Sequence, residues 1–455
     1  MPLRALLSLF LCAAAAGTSA TAQPIAIEHV TVIDGLGRAP QPDMTVVIDG
    51  ERIVSVAPSA LGGAAGARAI DGRGKFLMPG LMDMHIHLSG AFDPTRPRDG
   101  KPGPVNKAAG IGALASYLYA GVTSVYDAGN RPELILALRA EERAGKIASP
   151  RIFASGNLIT YPGGHGASVG IGIDSWPQAK AALDRHIAGQ KPDIAKLVLE
   201  EEGWGSRPLI PMMPVDLLQQ VTEYYNQHGI RTTVHVSSEL RALEAIYAGV
   251  DTLAHPVIQG PVSDSFVALM AAKKTPFVTT LTIGDNYGRL VDHPDYLDQP
   301  LYAASLTPQE RERLRTEVRD DFAKRAWTGW MRVMTPIAME NVRKIDAAGG
   351  IAAAGTDQST GAALHRELEL LEAAGIKPLE VIRIATHNSA LFLGRADDMG
   401  SVEVGKLADL VLLDKDPSAD IDNAKAISLV IKGGSIIDES NLPLPGGKIP
   451  APGPR

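Results

Sequence analysis

The chain has 455 residues, of which 45% are hydrophobic and 21% charged, and carries a formal net charge of -7. This length exceeds one small core and suits a large α/β barrel with an accessory module. No basic block is present, so nucleic-acid binding lacks its electrostatic basis, and the glutamates at 200–202 and the mixed charges at 309–325 read as solvated surface.

Arg4 precedes the apolar stretch Ala5 to Ala16, which leads into Gly17-Thr18-Ser19 and then Ala20-Thr21-Ala22. A charged start, a short hydrophobic region and an A-x-A site predict a signal peptide over 1–22 and export to a periplasmic or extracellular compartment. The run is too short to cross a bilayer comfortably, so no stable membrane span is expected after cleavage. Cys12, the only cysteine, lies inside this segment, and Leu11 before it is not the small residue a lipoprotein needs. The mature chain is therefore expected to have neither thiol chemistry nor disulfides.

From about 24 to 75 short apolar runs alternate with turns: Ile25 to Ile33, Met44 to Ile48, and Arg52 to Val56 after the hairpin pair Asp49-Gly50. The same texture returns at Asp409 to Leu413, Ala426 to Ile431 and Ser435 to Asp438. Between these ends, strand patterns at Leu81–Leu88, Val122–Ala128, Arg151–Ile159, Asp193–Leu199, Thr232–Val236, Asp251–His255, Phe277–Ile283 and Ile351–Asp357 alternate with helical ones. Eight such strands predict an α/β fold, a (β/α)8 TIM-like barrel, with a small β-sandwich module formed from both termini. A doubly wound open sheet would not naturally place ligand-type residues on so many strands. The expected organisation is a signal peptide at 1–22, a composite β-sandwich at 23–78 and 396–445, a barrel at 79–395 with a helical insertion at about 287–344, and a flexible tail at 446–455 within the proline- and glycine-rich stretch from Leu442. The segment, with Trp327, Trp330 and Met331, reads as a lid or an extended helical insertion over the barrel mouth.

Ligand-type residues stand at or near the ends of these strands. His85-Ile86-His87 closes the first; side chains at i and i+2 share a face, so two imidazoles project together. Lys196 lies in the fourth, His235 in the fifth, His255 in the sixth and Asp357 in the eighth. Strand ends converge at one rim of a barrel, and imidazole and carboxylate suit zinc and related ions. Six ligand-type groups exceed one tetrahedral ion and point to two. Lys196, desolvated among cations, loses its proton more easily; the neutral amine can take up carbon dioxide as a carbamate that bridges two ions. Alone, each residue has a plainer reading: Lys196 as a packed stem reaching Glu200, His235 as a core histidine, His255 as a strand end before Pro256, Asp357 as a helix cap. Their joint occurrence favours the metal reading. His165, in Gly163-Gly164-His165-Gly166, either touches a substrate carbonyl or is a plain loop histidine. Arg207 is either a reader of a substrate carboxylate or a solvated arginine. His29, His186, His228 and His293 read as structural or exposed.

Pro79-Gly80-Leu81-Met82-Asp83-Met84-His85-Ile86-His87, Gly121-Val122-Thr123-Ser124, Ala248 to His255, Gly355-Thr356-Asp357 and Gly400 to Leu410 together carry a family resemblance. The chain resembles the amidohydrolase superfamily, and within it the imidazolonepropionase-like proteins and secreted Xaa-Pro-type dipeptidases. The resemblance implies that His85 and His87 hold the more buried metal, a carboxylated Lys196 bridges, His235 and His255 hold the second metal, and Asp357 closes the site. Mononuclear relatives lack the bridging lysine, so Lys196 weighs against that branch. The expected activity is metal-dependent hydrolysis of the amide (C–N) bond of a small-molecule substrate, a dipeptide or N-acyl amino acid. Two divalent ions, zinc by default, would acidify a bridging water, and Asp357 would pass its proton to the leaving nitrogen. The alternatives are a mononuclear deaminase or cyclic-amide or lactone hydrolase, and a noncatalytic barrel scaffold. Homo-oligomerisation stays open.

Overall fold

In the computed structural model, the described residues are 23–62, 65–89, 104–202 and 209–447. The predicted signal segment with Cys12, Arg207, and residues 448–455 of the expected tail lie outside them.

Alternating apolar residues build the first strands. β1 (Ile25–Val32), β2 (Gln41–Asp49) and β3 (Arg52–Pro58) send Ile27, Val30, Val46, Ile48 and Ile53 into one buried cluster. Asp49-Gly50 makes the expected hairpin: Gly50 sits at φ 55 and Asp49 pairs with Arg52 across the turn. A side chain in that left-handed backbone would cost about 1–2 kcal/mol. β4 (Arg68–Asp71) and β5 (Phe76–Pro79) run parallel to β1.

All six residues of β6 (Leu81–Ile86) are buried, as expected of a strand covered on both faces. With α1 (Lys107–Tyr119), β7 (Val122–Asp127), α2 (Pro132–Arg143) and β8 (Arg151–Ala154) it forms a three-stranded parallel sheet with intervening helices. A second parallel sheet follows. Its members in chain order are β9 (Leu158–Thr160), β10 (Gly170–Gly172), β11 (Ile194–Val198), β12 (Arg231–His235), β13 (Thr252–Leu253), β14 (Phe277–Val278) and β15 (Ala352–Ala353), paired in the order β10-β9-β11-β12-β13-β14-β15. α3 (Trp176–Gln190), α4 (Val215–Gln227), α5 (Glu239–Tyr247) and α6 (Asp264–Lys273) separate consecutive strands. The two sheets meet where Met84 N donates to Ala354 O at 2.8 Å and Asp357 N donates to His85 O at 2.7 Å. Gly355 permits this approach: a Cβ there would lie 2.3 Å from Val278 Cγ1 and 2.9 Å from His85 N. The α/β architecture of parallel, helix-separated strands is consistent with a TIM barrel.

Several strands are shorter than expected. The run Arg151–Ile159 divides into β8 and β9, and Ile351–Asp357 retains only β15 as strand. Phe277–Ile283 is corrected more sharply, because the strand stops at Val278 and α7 (Leu281–Asp292) begins three residues later. Thr280 makes the break with a left-handed backbone, φ 32 and ψ 37. The segment onward to β15 is helical: α8 (Pro300–Ser305), α9 (Pro308–Arg313), α10 (Arg319–Lys324) and α11 (Ala326–Ala347), with Trp327 and Trp330 stacked at 5.0 Å between ring centroids. Proline stands in the first turn of α8 and α9, where no intrahelical N–H is needed. α12 (Gly361–Ala373) follows Asp357.

The C-terminal strands β16 (Leu410–Leu413), β17 (Ile427–Lys432) and β18 (Ser435–Ile436) join the N-terminal ones in one eight-stranded sheet, ordered β18-β17-β16-β5-β1-β2-β3 with β4 beside β1. β16 lies antiparallel to β5, Leu410 opposite Pro79 and Leu413 opposite Phe76. Beyond it the chain is not loose through Gly447, since Leu442 is buried and Gly446 N donates to Ala304 O at 2.9 Å. Among the described residues no helix is long and apolar enough to cross a membrane.

Candidate metal centre

β6 delivers His85 at its fifth residue and His87 just past its end, with ring centroids 5.4 Å apart. Each ring is held through Nδ1: His85 to Ala254 O at 2.8 Å, His87 to Gly129 O at 2.7 Å. A carbonyl only accepts, so Nδ1 carries a proton in both, and the Nε2 side of each ring is the one that faces the centre. Asp357 Oδ1 lies 3.3 Å from His87 Nε2 and 3.8 Å from His85 Nε2. His255 follows β13; its ring is 4.4 Å from that of His85, and its Nδ1 is 3.0 Å from Thr280 Oγ1. Ligand atoms of His85, His255 and Asp357 lie within 4.8 Å of one another. Asp357 is thus no helix cap, and its own backbone is left-handed at φ 54.

Lys196, on β11, places Nζ 3.3 Å from His85 Nε2. Burial brings its pKa down to about 7, against the pull of Asp357. Glu200 does not serve as its counterion. Contrary to the expectation of solvated glutamates at 200–202, Glu200 is buried, lies 3.6 Å from His235 Nε2 and accepts from Ser237 Oγ, while Glu201 pairs with Arg241. β12 ends at His235, whose ring lies 4.5 Å from that of His255. Burial lowers the pKa of His85, His235 and His255, with the Lys196 charge contributing in each. Neutral imidazoles are what metal binding requires. His165 arrives from the loop after β9, its ring stacked on His235 at 4.2 Å. The structure therefore gathers all seven candidate residues around one centre. His186 is structural, buried and bonded to Tyr225 Oη at 2.8 Å.

The supporting residues were not singled out from the sequence. Asp83 accepts from Thr356 N at 3.1 Å and Thr356 Oγ1 at 2.8 Å, fixing the turn that presents Asp357. Asp127 accepts from Leu88 N at 2.9 Å and Gly129 N at 3.2 Å, fixing the loop whose carbonyl holds His87. Burial raises the pKa of both carboxyls. Asp83 had a visible signal, since it shares strand parity with His85; Asp127 and Glu200 sit at strand ends like the ligands themselves.

A cavity of about 1250 Å³ opens beside the centre, bounded by His87 and His165 on one side and by Arg289, Tyr296, Tyr302 and Arg313 on the other. Glu310 and Arg313, from the charged stretch 309–325, line this space.

Donor chemistry, tautomers and burial fit divalent cations. Residues 76–437 match the model of the amidohydrolase family. The chain belongs to the amidohydrolase family. Ochratoxinase of Aspergillus niger is 25% identical to this amidohydrolase over 399 residues, which cover 79% of this chain and 75% of the ochratoxinase. Among solved structures, a putative prolidase from Bifidobacterium longum superposes with a TM-score of 0.73 at 26% identity, over 92% of this chain and 95% of that one. A Xaa-Pro dipeptidase with bound methionine gives 0.71 at 23% identity, over 91% and 100% of the two chains, and shares the fold. This amidohydrolase is therefore a hydrolase of that family.

Proposed function

We propose that this amidohydrolase cleaves the amide bond of dipeptides or N-acyl amino acids at a centre of two divalent ions, with zinc the default. The observation that carries this reading is that Lys196 Nζ lies 3.3 Å from His85 Nε2 and the His235 ring 4.5 Å from that of His255, further ligand-type groups beside the cluster of His85, His255 and Asp357. His85 and His87 would hold one ion, His235 and His255 the other, and Lys196, as a carbamate, would lie between them with Asp357 closing the site. Bound ions supply a polarised carbonyl and a water acidic enough to react near neutral pH. The chain does the rest. Asp357 holds the water proton and returns it to the leaving nitrogen, and His165 meets the carbonyl oxygen of the scissile bond. Relatives named for cleaving ochratoxin and Xaa-Pro dipeptides support amide hydrolysis. The two parallel sheets are read as one (β/α)8 barrel, the eight-stranded sheet as its sandwich-like companion, and residues 1–22 as an export signal.

The mononuclear alternative has one observation in its favour, because His85, His255 and Asp357 alone form a one-ion cluster. Elemental analysis of protein prepared without chelator, beside a screen of dipeptides and N-acyl amino acids, decides between them. About two ions per chain with amide hydrolysis is the expected result; saturation at one ion with deamination would overturn the proposal.

A further inference from the structure

Thr280 occupies the N-cap position of α7, a place where threonine ordinarily takes an extended backbone and turns its hydroxyl onto an N–H of the first turn. It does neither. Its backbone is left-handed at φ 32, and its side chain makes no cap bond. A β-branched residue in that region is an outlier that the surroundings must impose. Its Oγ1 lies instead 3.0 Å from Nδ1 of His255.

The capping task has passed to Glu367, a fully buried residue of α12 that the reaction does not use. Its Oε1 accepts from Leu281 N at 2.9 Å, and its Oε2 accepts from Thr282 N at 2.8 Å and Thr282 Oγ1 at 2.6 Å. The opening N–H groups of α7 are thereby satisfied from another helix. Thr282 Oγ1 also lies 3.1 Å from Thr356 O, the residue before Asp357.

We propose that Glu367 is a positioning residue: by capping α7 in place of Thr280, it holds Thr280 in its left-handed conformation and releases that hydroxyl to orient His255 as a metal ligand. His85 and His87 have backbone carbonyls for this purpose, and His255 has a side chain that a second side chain must aim. The inference rests on the metal reading of the site and adds to it a dependence of metal affinity on a carboxylate outside the ligand set.

The test is a double-mutant cycle on zinc affinity, measured by chelator competition with the full-length protein, alongside urea unfolding of the metal-free form. Glu367→Gln puts an amide NH2 where one backbone N–H needs an acceptor, and should weaken zinc binding about 10- to 100-fold, the scale for losing a ligand's supporting partner. Thr280→Val should weaken it similarly, and the double variant should be no worse than Thr280→Val alone. Thr280→Ser should bind as wild type does. Thr280→Gly serves if Glu367→Gln does not fold, because relaxing the backbone should raise metal-free stability while zinc affinity falls, opposite signs that a purely structural role does not give. Additive losses in the double variant, or wild-type affinity in both Thr280→Val and Thr280→Gly, would overturn the proposal while leaving the metal reading in place. Wild-type protein that takes up no divalent ion would overturn both.

Discussion

At Asp357 one residue combines an unusual backbone with the chemistry assigned to it. Its φ of 54 and its N–H bond to His85 O aim the carboxylate at His87 Nε2, 3.3 Å away. Asp357→Asn keeps the shape and one oxygen but cannot carry a proton near neutral pH. Metal content by elemental analysis should stay near wild type, while kcat falls by roughly a hundredfold or more; unchanged turnover would remove the proton-carrying role. Lys196 makes a prediction about stability. Its folded pKa is about 7, below the ordinary 10.5, so the unfolded chain binds the extra proton between those values. Stability of the metal-free protein should therefore rise with pH from about 7 towards 10.5, with a contribution approaching about 1.4 kcal/mol per pH unit in mid-window. Below pH 7 the buried ammonium is charged in both states and its full penalty is present. Urea unfolding of Lys196→Met should lack this slope. The candidate residues were legible because His85, His87, His235 and His255 stand at or just past the ends of parallel strands and Lys196 lies within one, a series in which ligand-type side chains recur. Thr280 and Glu367 were not, since a cap donated by a helix more than eighty residues away leaves no local pattern.

On the scale of elements, the sequence located the strands and helices better than it located their ends. Phe277–Ile283, rich in β-branched residues, reads as one strand, yet the left-handed turn at Thr280 divides it into β14 and α7, and a residue pattern carries no sign of φ. That division sets the cavity wall, because α7 brings Arg289 over the Tyr296 ring at 4.1 Å and within 3.1 Å of Tyr302 Oη. Lys107 and Arg366, also on the wall, are paired with Glu141 and Asp285. Arg289 has no carboxylate within 4 Å among the described residues and is held in place by two tyrosines, an arrangement suited to a substrate carboxylate. Arg289→Met should lower kcat/KM for N-acyl amino acids about 10- to 100-fold, chiefly through KM, the value of one charge-assisted hydrogen bond. The corresponding amides, which lack the charge, should be nearly unaffected; equal losses on both would exclude carboxylate recognition.

For the whole molecule, the parallel strands and the sheet built from both ends are joined by a nearly buried ion pair. Arg151 of β8 meets Asp409, just before β16, at 2.6 and 3.2 Å, and Gly433 N donates to the same carboxylate at 2.6 Å. Asp409→Ala strands the guanidinium and that N–H, and should cost about 3 kcal/mol in urea unfolding. Replacing the pair together, as Arg151→Met with Asp409→Leu, should recover most of the loss; a double variant as unstable as the single one would show that the pair contributes more than charge cancellation.

The pairing of β5 with β16 also sets a clock. Pro79 must wait for Leu410, 331 positions later, before its ladder is complete. At ribosomal speeds of about 5–20 residues per second, that wait is roughly 17 to 66 s. Through that interval the nascent N-terminal strands present an open, apolar edge of the kind that recruits other chains. Synthesis interrupted anywhere before residue 410 should therefore release a product that aggregates or is degraded, and not a smaller working enzyme.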